Sequence, residues 1–297
     1  MAILAVAVLT AVSGITVLAE DVSQADINCG EAFHLQPQEG QAAVLEEEEK
    51  TQTQVCVDGA EYPGTVFLEN DTTYVGIREF SLYMGAHSVD WDAQARQAVI
   101  VSDNLTITAQ SEGKYLTANG RCLWVQDGIL NRNGTIFVPI RVIAKAFDCS
   151  VSWDAEERTV YLASGSGAIT CGAAYYEEED LLWLSRIIHS EAGLEPLEGK
   201  IAVGNVVLNR VGSDQFPNTI YDVIFDMSAG VQFSPAASGT IYCTPNEESI
   251  LAAKLCLDGA CVSDDVFFFV NEAIAENTWV SDNRPYVMTI GNHTFFA

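Results

Sequence analysis

Between residues 180 and 210, apolar positions follow the spacing of an α-helix. Leu181, Leu184 and Ile188 recur at intervals of three and four residues, which places them on one face. Glu191 is the next residue on that face. The pattern therefore predicts an amphipathic helix whose apolar stripe ends in a carboxylate.

Two interpretations of Glu191 follow from this position. In the first, the helix emerges into solvent and the carboxylate is simply hydrated. In the second, the side chain is held in apolar surroundings, where desolvation raises its pKa so that it can carry and donate a proton near neutral pH. Taken alone, the local pattern favours the hydrated carboxylate.

A second helix is predicted from Pro196 to Val211. Proline is favoured in the first turn of a helix, where its missing N–H costs nothing. Positions 201–208 are almost all apolar or small. We therefore expect a buried central helix, with Asn209 and Arg210 emerging at its end.

The end of the chain combines shorter helices with strands. Thr219–Phe225 is amphipathic, and Thr244 with Glu247 has the spacing of a capping box that opens another helix. Residues 266–270 resemble a buried strand, and Gly291-Asn292 is typical of a two-residue hairpin turn. Helices followed by a small sheet predict an α+β fold for this part of the chain.

Residues 55–164 contain an internal repeat. Tyr74–Arg78 returns as Phe137–Arg141, and Ser88–Ala93 returns as Ser150–Ala155. Each copy has the pattern of a strand, a short helix and two further strands. The repeat predicts a mixed β/α domain built from two similar units.

Trp91 and Trp153 occupy the same position in the two copies. Exposed indoles at these sites could stack on sugars. Tryptophans repeated at one strand position are more typical of packing, so we expect both in the core.

The chain is strongly acidic, with 14 basic against 41 acidic residues and a formal net charge of −27. Such a surface repels nucleic acid and anionic membranes, so neither is an expected partner. The acidic run 46–49 lies within residues 20–54, which we interpret as a disordered acidic linker.

Residues 1–19 are apolar and end in small residues. This pattern predicts a signal peptide or an N-terminal anchor, and hence a secreted or cell-envelope protein. No later stretch reaches the ~18 apolar residues of a membrane span, so no integral membrane domain is expected beyond that anchor. Residues 165–174 are small and almost uncharged, which predicts a linker between domains at 55–164 and 175–297.

Eight cysteines follow the N-terminal segment. In an exported chain they permit disulfides, and we expect some bridges, although the spacing does not determine the pairs. No two cysteines form a CxxC pair and only four histidines are present. The sequence therefore predicts no zinc site and no cofactor.

The repeat resembles the copper amine oxidase-like N-terminal domain, or stalk domain, of secreted bacterial proteins. VPIRVIAKAF followed by VSWD in the second copy carries the resemblance, together with the matching segments of the first. It implies a spacer or wall-adhering module rather than a catalyst. No histidine cluster here could hold copper.

The chain from about residue 180 onward resembles the catalytic domain of the SleB/CwlJ-type cell wall hydrolases, the spore cortex-lytic enzymes. The matching stretches are RIIHSEAGLEPLEGKIAVGNVVLNRV, FPNTIYDVIF, QFSP and TIGNHTFF, in the order of the family. The resemblance implies a mainly helical, lysozyme-like domain with a small antiparallel sheet. It also implies peptidoglycan as the partner, cleaved by a lytic transglycosylase between N-acetylmuramic acid and N-acetylglucosamine in spore cortex hydrolysis or wall turnover.

The resemblance assigns the catalytic glutamate to Glu191, within Ser190–Pro196. This chain has Gly193-Leu194 where the family has another pair, and it keeps the glutamate. An ordinary glycosidase needs a second carboxylate. A lytic transglycosylase can use one, because the C6 hydroxyl of muramic acid attacks the anomeric carbon. With the resemblance, the catalytic interpretation of Glu191 outweighs the hydrated one.

Other polar residues are expected near the same site. Gln232, Ser234 and Asn271 lie in polar loops and His293 lies at the C-terminal hairpin, and we predict that they contact the glycan. Structural satisfaction of a buried polar group stays an alternative for each. Glu195 is predicted to interact with the free N–H groups at the start of the second helix.

Tyr175, Tyr176 and Trp279 could stack on sugars, but isolated aromatic residues are more typical of packing. Two further functions stay open. One is a non-catalytic wall-binding or scaffold protein carried by the stalk repeats. The other is an amidase, which normally needs zinc ligands that this sequence lacks.

Overall fold

The structure is a computed structural model that describes residues 53–228, 230–275 and 278–297. The predicted signal segment 1–19, Cys29 and the acidic linker as far as residue 52 lie outside the described residues. The predicted linker extends two residues too far, because Thr53 and Gln54 belong to the fold. Thr53 is buried and Gln54 begins the first strand.

The first domain is rich in β-structure. Its strands are β1 Gln54–Val57, β2 Ala60–Glu61, β3 Val66–Glu69, β4 Thr72–Gly76, β5 Ser88–Asp92, β6 Gln97–Val101, β7 Thr106–Gln110, β8 Tyr115–Ala118, β9 Arg121–Trp124, β10 Leu130–Arg132, β11 Thr135–Pro139, β12 Ser150–Asp154 and β13 Thr159–Ala163. Two short helices, α1 Ile77–Tyr83 and α2 Ile140–Ala146, follow β4 and β11.

The internal repeat is visible as two similar units. Strands β4 and β11 are equivalent in the repeat and pair antiparallel in a sheet of order β10-β11-β4-β3. Each is followed by a helix and then by a hairpin, β5–β6 in one copy and β12–β13 in the other. The first hairpin continues into a sheet β5-β6-β7-β8-β9, whereas β13 pairs in parallel with β1. The two units share one hydrophobic core.

Both repeated tryptophans are partly exposed, so the prediction of core burial is wrong. Trp91 is 49% exposed and Trp153 is 42% exposed. The register pairs them with Ala98 and Val160, which are buried. Each indole therefore lies on the core-facing side of its sheet. Because β5 and β12 are edge strands, about half of each indole stays exposed to solvent.

The aspartates next to the tryptophans have a local structural role. Asp92 Oδ1 accepts hydrogen bonds from the backbone N–H groups two and three residues further along the chain. Asp154 makes the same pair of bonds in the second copy. These bonds fix the turn of each hairpin, which explains why the motif occurs twice.

The segment 165–174, predicted as a linker, is held against the first domain. Ile169 is buried, and its N–H donates to the carbonyl of Ala146. The backbone N–H and hydroxyl of Ser166 both donate to the Asp148 carboxylate, at 2.9 and 2.8 Å. The connection between the domains is therefore fixed at several points.

The second domain is mainly helical and ends in a small antiparallel sheet, as the α+β prediction requires. Its helices are α3 Gly172–Tyr175, α4 Glu178–Ala192, α5 Leu197–Val211, α6 Ile220–Phe225, α7 Ser234–Ser238, a 3-10 turn at Thr240–Tyr242, α8 Glu247–Leu257 and α9 Trp279–Asn283. The strands β14 Phe268–Val270, β15 Tyr286–Ile290 and β16 His293–Phe296 form a sheet of order β14-β16-β15.

Helices α4, α5 and α8 pack together to form the centre of this domain. The middle of α5 is buried, and its polar residue Asn205 is satisfied there by the carbonyl of Ala260 and the N–H of Val262. Helix α8 is capped by Asn246, whose side-chain oxygen accepts from the N–H of Ser249 at 2.8 Å. The predicted cap at Thr244 is therefore wrong by two positions, and Asn246 is itself a favoured N-cap residue.

The two domains meet at the end of α8 through a buried ion pair. The Nε of Arg121 in the first domain donates to Asp258 Oδ1 in the second at 2.9 Å, and both side chains are buried. Tyr176 donates its hydroxyl to the other carboxylate oxygen, and Lys145 Nζ donates to the Asp258 carbonyl at 2.7 Å. The guanidinium of Arg121 also lies 3.3 Å from the centre of the Tyr175 ring.

The seven cysteines in the described ranges are free thiols, so the expectation of disulfides is wrong for this part of the chain. Cys256 is buried beneath α5, where its Sγ donates to the carbonyl of Ile201 at 3.5 Å. Cys122 is buried where β9 meets the second domain, and burial raises the pKa of its thiol to about 11. These two residues pack as small apolar side chains.

Candidate active site

Glu191 lies at the end of the predicted amphipathic helix. Helix α4 ends at Ala192, and Leu184, Ile187 and Ile188 are fully buried on its inner face. Glu191 follows these residues on the wall of an open cleft of about 1880 Å³. The residue at the end of the apolar stripe, Glu191, therefore places its carboxyl at the cleft.

The residues predicted as site residues from the sequence all line this one cleft. They are Glu191, Gln232, Ser234, Asn271 and His293. They come from α4, from the loop before α7 and its first residue, from the position after β14 and from the C-terminal hairpin. The fold thus brings together positions that are more than a hundred residues apart in sequence.

The Glu191 carboxyl is desolvated. Burial raises its pKa to about 7. No donor within residues 53–228, 230–275 and 278–297 forms a hydrogen bond or ion pair with it. A carboxyl in this environment is about half protonated at neutral pH, which suits a group that must both give and take a proton.

Glu195, the neighbouring glutamate, is engaged by the C-terminal hairpin. Its two carboxylate oxygens accept from the backbone N–H of Asn292 at 3.0 Å and from the Asn292 side-chain amide at 2.8 Å. It makes no cap at the start of α5, so that prediction is wrong. Burial alone would raise the pKa of Glu195, but the Asn292 hydrogen bonds, with His293 and Lys200 nearby, hold it below its usual value.

The hairpin turn itself requires glycine. Gly291 has a φ of +58°, and a Cβ at this position would lie 1.8 Å from Oε2 of Glu195. The close approach of backbone to carboxylate is what lets Asn292 donate twice to Glu195. The contact between Glu195 and the turn therefore ties the sheet to the helices at the edge of the cleft.

His293 is buried in the cleft wall. Its Nδ1 lies 3.9 Å from Oε1 of Glu195 and has no hydrogen-bond partner among the described residues. Burial lowers the pKa of the imidazole, while the nearby Glu195 carboxylate opposes that shift. His293 is therefore a neutral polar group at the cleft, able to meet a hydroxyl or acetamido group of a ligand.

Gln232 is oriented by Arg210, whose position was predicted incorrectly from the sequence pattern. Arg210, expected to emerge at the end of α5, is only 4% exposed. Its Nε donates to the carbonyl of Phe267 at 2.8 Å, and NH1 donates to Oε1 of Gln232 at 3.3 Å. Burial lowers the pKa of Arg210 to about 10, and Asp226 opposes the shift. Aromatic rings around the guanidinium make this inward placement favourable.

Ser234 and Asn271 differ in how freely they face the cleft. Ser234 is exposed at the first position of α7. Asn271 uses its side-chain oxygen to accept from the N–H of Ala273 at 3.2 Å, so that oxygen has a structural role in the turn. Its side-chain N–H₂ is the group left to meet a ligand.

The three candidate aromatic platforms separate into two groups. Tyr175 and Tyr176 pack at the domain junction, as the packing interpretation predicted. Trp279 instead lines the cleft and is 51% exposed, so for this residue the packing interpretation is wrong. Short helix α9 presents it from the segment between β14 and β15.

Several cleft residues were missed from the sequence, among them His189 and Arg284. His189 precedes Glu191 by two positions, and its Nδ1 accepts from the N–H of Asn246 at 3.5 Å. The spacing of apolar residues predicts neither position, because the packing of distant segments places each side chain at the cleft. Within the described ranges, no three His, Cys, Asp or Glu side chains come together as ligands of a metal ion.

Two family models match the chain. The Cell Wall Hydrolase family matches residues 194–296, and the Copper amine oxidase N-terminal domain matches residues 56–162. Both resemblances inferred from the sequence are confirmed. The first match begins at residue 194, just after Glu191. The support for a catalytic role of Glu191 therefore comes from its sequence motif and from the geometry of the cleft.

Known proteins named spore cortex-lytic enzymes are also similar to part of the chain. A spore cortex-lytic enzyme of Bacillus cereus is 35% identical over 120 residues, which are 40% of this chain and 45% of the relative. The spore cortex-lytic enzyme of Bacillus subtilis is 34% identical over 120 residues, which are 40% of this chain and 38% of that relative. The chain spans less than half the length of these relatives.

Two solved structures are also similar. One is the catalytic domain of the germination-specific lytic transglycosylase SleB from Bacillus anthracis, 34% identical, covering 41% of this chain and 97% of that chain with a TM-score of 0.38. The other is the catalytic domain of the Bacillus cereus SleB protein, 34% identical, covering 41% and 92% with a TM-score of 0.37.

Proposed function

We propose that this chain, which carries a cell wall hydrolase domain behind a copper amine oxidase N-terminal domain, is a peptidoglycan lytic transglycosylase that uses Glu191 as its acid and base. The observation that carries the proposal is the isolated Glu191 carboxyl in a large cleft, with its pKa raised to about 7 by burial. The relatives named spore cortex-lytic enzymes support peptidoglycan as the substrate.

The chemistry follows from the two protonation states of Glu191. The protonated carboxyl donates its proton to the glycosidic oxygen between N-acetylmuramic acid and N-acetylglucosamine as the bond from C1 to that oxygen breaks. The resulting carboxylate then takes the proton of the C6 hydroxyl while O6 forms a bond to C1. The products are a free sugar hydroxyl and a 1,6-anhydro ring, and no water is consumed.

The other acidic side chains of the cleft favour a one-carboxylate mechanism. Glu195 is held ionised by Asn292, and Asp226 accepts from the N–H of Ser228 at 2.8 Å. That hydrogen bond lowers the pKa of Asp226. Both carboxylates are therefore engaged by the protein rather than left to activate a water molecule, which an inverting glycosidase requires.

Gln232, Ser234, Asn271 and His293 are proposed to bind the glycan around Glu191. They supply amide, hydroxyl and imidazole groups, which match the acetamido and hydroxyl groups of the strand. Exposed aromatic surface at Trp279 adds a place for a sugar ring to stack. Mixed polar and aromatic lining of this kind is typical of carbohydrate sites.

The proposed substrate places the protein outside the cytoplasm, at the cell envelope or the spore, in cortex hydrolysis or wall turnover. A signal peptide at residues 1–19 remains the proposed route. In the part of the chain that the structure describes, none of the helices has the length and apolar character of a membrane span.

Product analysis tests the proposed function. Purified cortex and vegetative sacculi are incubated with the protein, and the soluble fragments are analysed by mass spectrometry. We expect fragments that end in 1,6-anhydro-muramic acid, because O6 and not water attacks C1. Fragments with ordinary reducing muramic acid ends would identify a hydrolase instead.

One observation favours the non-catalytic alternative of wall binding. Trp91 and Trp153 are about half exposed on the first domain, where an indole can stack on sugars. A scaffold protein would sediment with sacculi and release no soluble fragments. Binding through these tryptophans is compatible with catalysis by the second domain, so release of fragments decides between the two.

A further inference from the structure

Most of the charged groups in the cleft are engaged by the protein itself. Arg210 donates to Phe267 and Gln232, Glu195 accepts from Asn292, and Asp226 accepts from the N–H of Ser228. Glu191 is the group assigned to proton transfer. These contacts leave the role of one further cation, Arg284, to be explained.

Arg284 is exposed on the cleft wall just after α9. Its Cζ lies 4.4 Å from the centre of the Phe268 ring and 5.5 Å from that of the Trp279 ring. Its backbone N–H donates to the carbonyl of Val280 at 2.9 Å, which fixes the base of the side chain. The guanidinium thus lies against an aromatic surface and stays accessible from the cleft.

No carboxylate of residues 53–228, 230–275 and 278–297 forms a salt bridge with Arg284. The contacts of its guanidinium are instead with the rings of Phe268 and Trp279. A planar guanidinium that is ordered by aromatic rings and keeps its donors free is suited to a carboxylate. The arrangement therefore points to a ligand that brings its own negative charge.

We propose that Arg284, supported by Phe268 and Trp279, forms a subsite for a carboxylate of the glycan strand. This inference rests on the proposed function and names the feature of the substrate that the cleft recognises. The sugar hydroxyls and acetamido groups of peptidoglycan are uncharged. Its negative charges are the carboxylates of stem peptides and of those lactyl groups that carry no peptide.

The overall charge of the protein makes a local cation necessary for such recognition. A surface with a net charge of −27 repels an anionic strand at a distance. Screening limits that repulsion to about 8 Å at physiological ionic strength, so a cation inside the cleft can act at contact range. Arg284 would thus select the register of the strand once the strand has entered.

The test compares two substrates that differ in whether their carboxyl groups are charged or amidated. Soluble glycan strands with stem peptides are used directly, or after their carboxylates have been converted to amides with carbodiimide and ammonia. Arg284→Gln should raise KM about five-fold to ten-fold on the native strands, as expected for loss of one partly exposed charge-assisted contact. On the amidated strands the variant and the wild type should have the same KM.

Arg96→Gln is the matched control. Arg96 is an exposed arginine of the first domain that faces Glu112 at 3.7 Å, so its loss changes the net charge equally and leaves the cleft intact. It should not change KM on either substrate. Binding to the Glu191→Gln protein, measured by calorimetry, should show the same preference for native over amidated strands.

The outcomes separate this inference from the proposed function. If the wild type cleaves neither substrate, the proposed function fails. If it cleaves both and Arg284→Gln raises KM equally on both, Arg284 contacts the sugar through its flat face and the carboxylate subsite is wrong. An unchanged KM of Arg284→Gln on native strands would also overturn it.

Discussion

Replacing Glu191 with glutamine is expected to lower the rate of strand cleavage by about a thousand-fold or more. Glutamine has nearly the shape of the glutamic acid that it replaces, but it can neither donate a proton to the glycosidic oxygen nor take one from the C6 hydroxyl. Both steps of the proposed reaction therefore lose their catalyst at once. The rate is measured as anhydro ends formed from purified sacculi, with binding to sacculi checked by sedimentation.

Glu198→Gln is the matched control for Glu191→Gln. Glu198 lies in the first turn of α5, outside the cleft, and faces Lys114 at 4.0 Å. Its replacement should leave the cleavage rate within about two-fold, as expected for a surface position. If Glu195→Gln removes activity while Glu191→Gln retains it, and both variants stay folded, the catalytic role belongs to Glu195.

The raised pKa of Glu191 predicts how the activity of the wild type, and its stability relative to Glu191→Gln, depend on pH. For the wild type, kcat/KM should fall as pH rises through about 7, because the proton donor is lost. The free energy of unfolding should also depend on pH, and here the variant should become the more stable of the two proteins as pH rises. The folded-state pKa is raised from 4.5 to about 7, so the wild type loses stability over that interval and Glu191→Gln does not.

The expected difference in unfolding free energy is about 1–3 kcal/mol in favour of Glu191→Gln above pH 7, and it should vanish near pH 4. Urea denaturation at a series of pH values measures it. A difference that is the same at pH 4 and pH 8 would show that the Glu191 carboxyl is hydrated in the folded protein.

Replacing Asp258 with alanine is expected to destabilise the protein by about 3–5 kcal/mol. Asp258 is buried and accepts from Arg121 and Tyr176, while its backbone carbonyl accepts from Lys145. Without the carboxylate, the buried Arg121 guanidinium keeps its charge and loses its partner. Because the pair joins the two domains, both should unfold at a lower urea concentration.

Two comparisons test this interpretation of the domain junction. Asp264→Ala removes an exposed carboxylate close by in sequence and should change the unfolding free energy by less than about 0.5 kcal/mol. Arg121→Met combined with Asp258→Leu replaces both charges with apolar groups and should recover much of the loss. A loss from Asp258→Ala that leaves the first domain unfolding as before would mean that the domains are not coupled there.

The elements with strong local patterns were predictable from the sequence. The stripe of Leu184 and Ile188 located helix α4 and the position of Glu191 at its end. The repeat gave α1, α2 and their hairpins, because short-range periodicity is enough to set helices and tight turns. Glu191 and its four proposed glycan contacts line one cleft, although their roles stay predictions.

The misplaced residues are those whose environment is set by distant parts of the chain. Arg210 points inward because aromatic rings surround its guanidinium, and no spacing rule reports that. Arg121 and Asp258 are 137 residues apart in sequence, so their pairing has no local signal. Trp91 has the face expected of a core residue but lies on an edge strand, and strand order decides its exposure.

The most direct test of the central claim is cleavage of purified glycan strands in water enriched in ¹⁸O. If Glu191 directs the C6 hydroxyl to C1, the new muramic acid end contains no oxygen from water, and its mass shows an anhydro ring without ¹⁸O. The Glu191→Gln protein should form neither labelled nor unlabelled ends. Incorporation of one ¹⁸O atom at the new end by the wild type would show that water attacks C1, and the account of Glu191 as the lone acid and base of a lytic transglycosylase would be wrong.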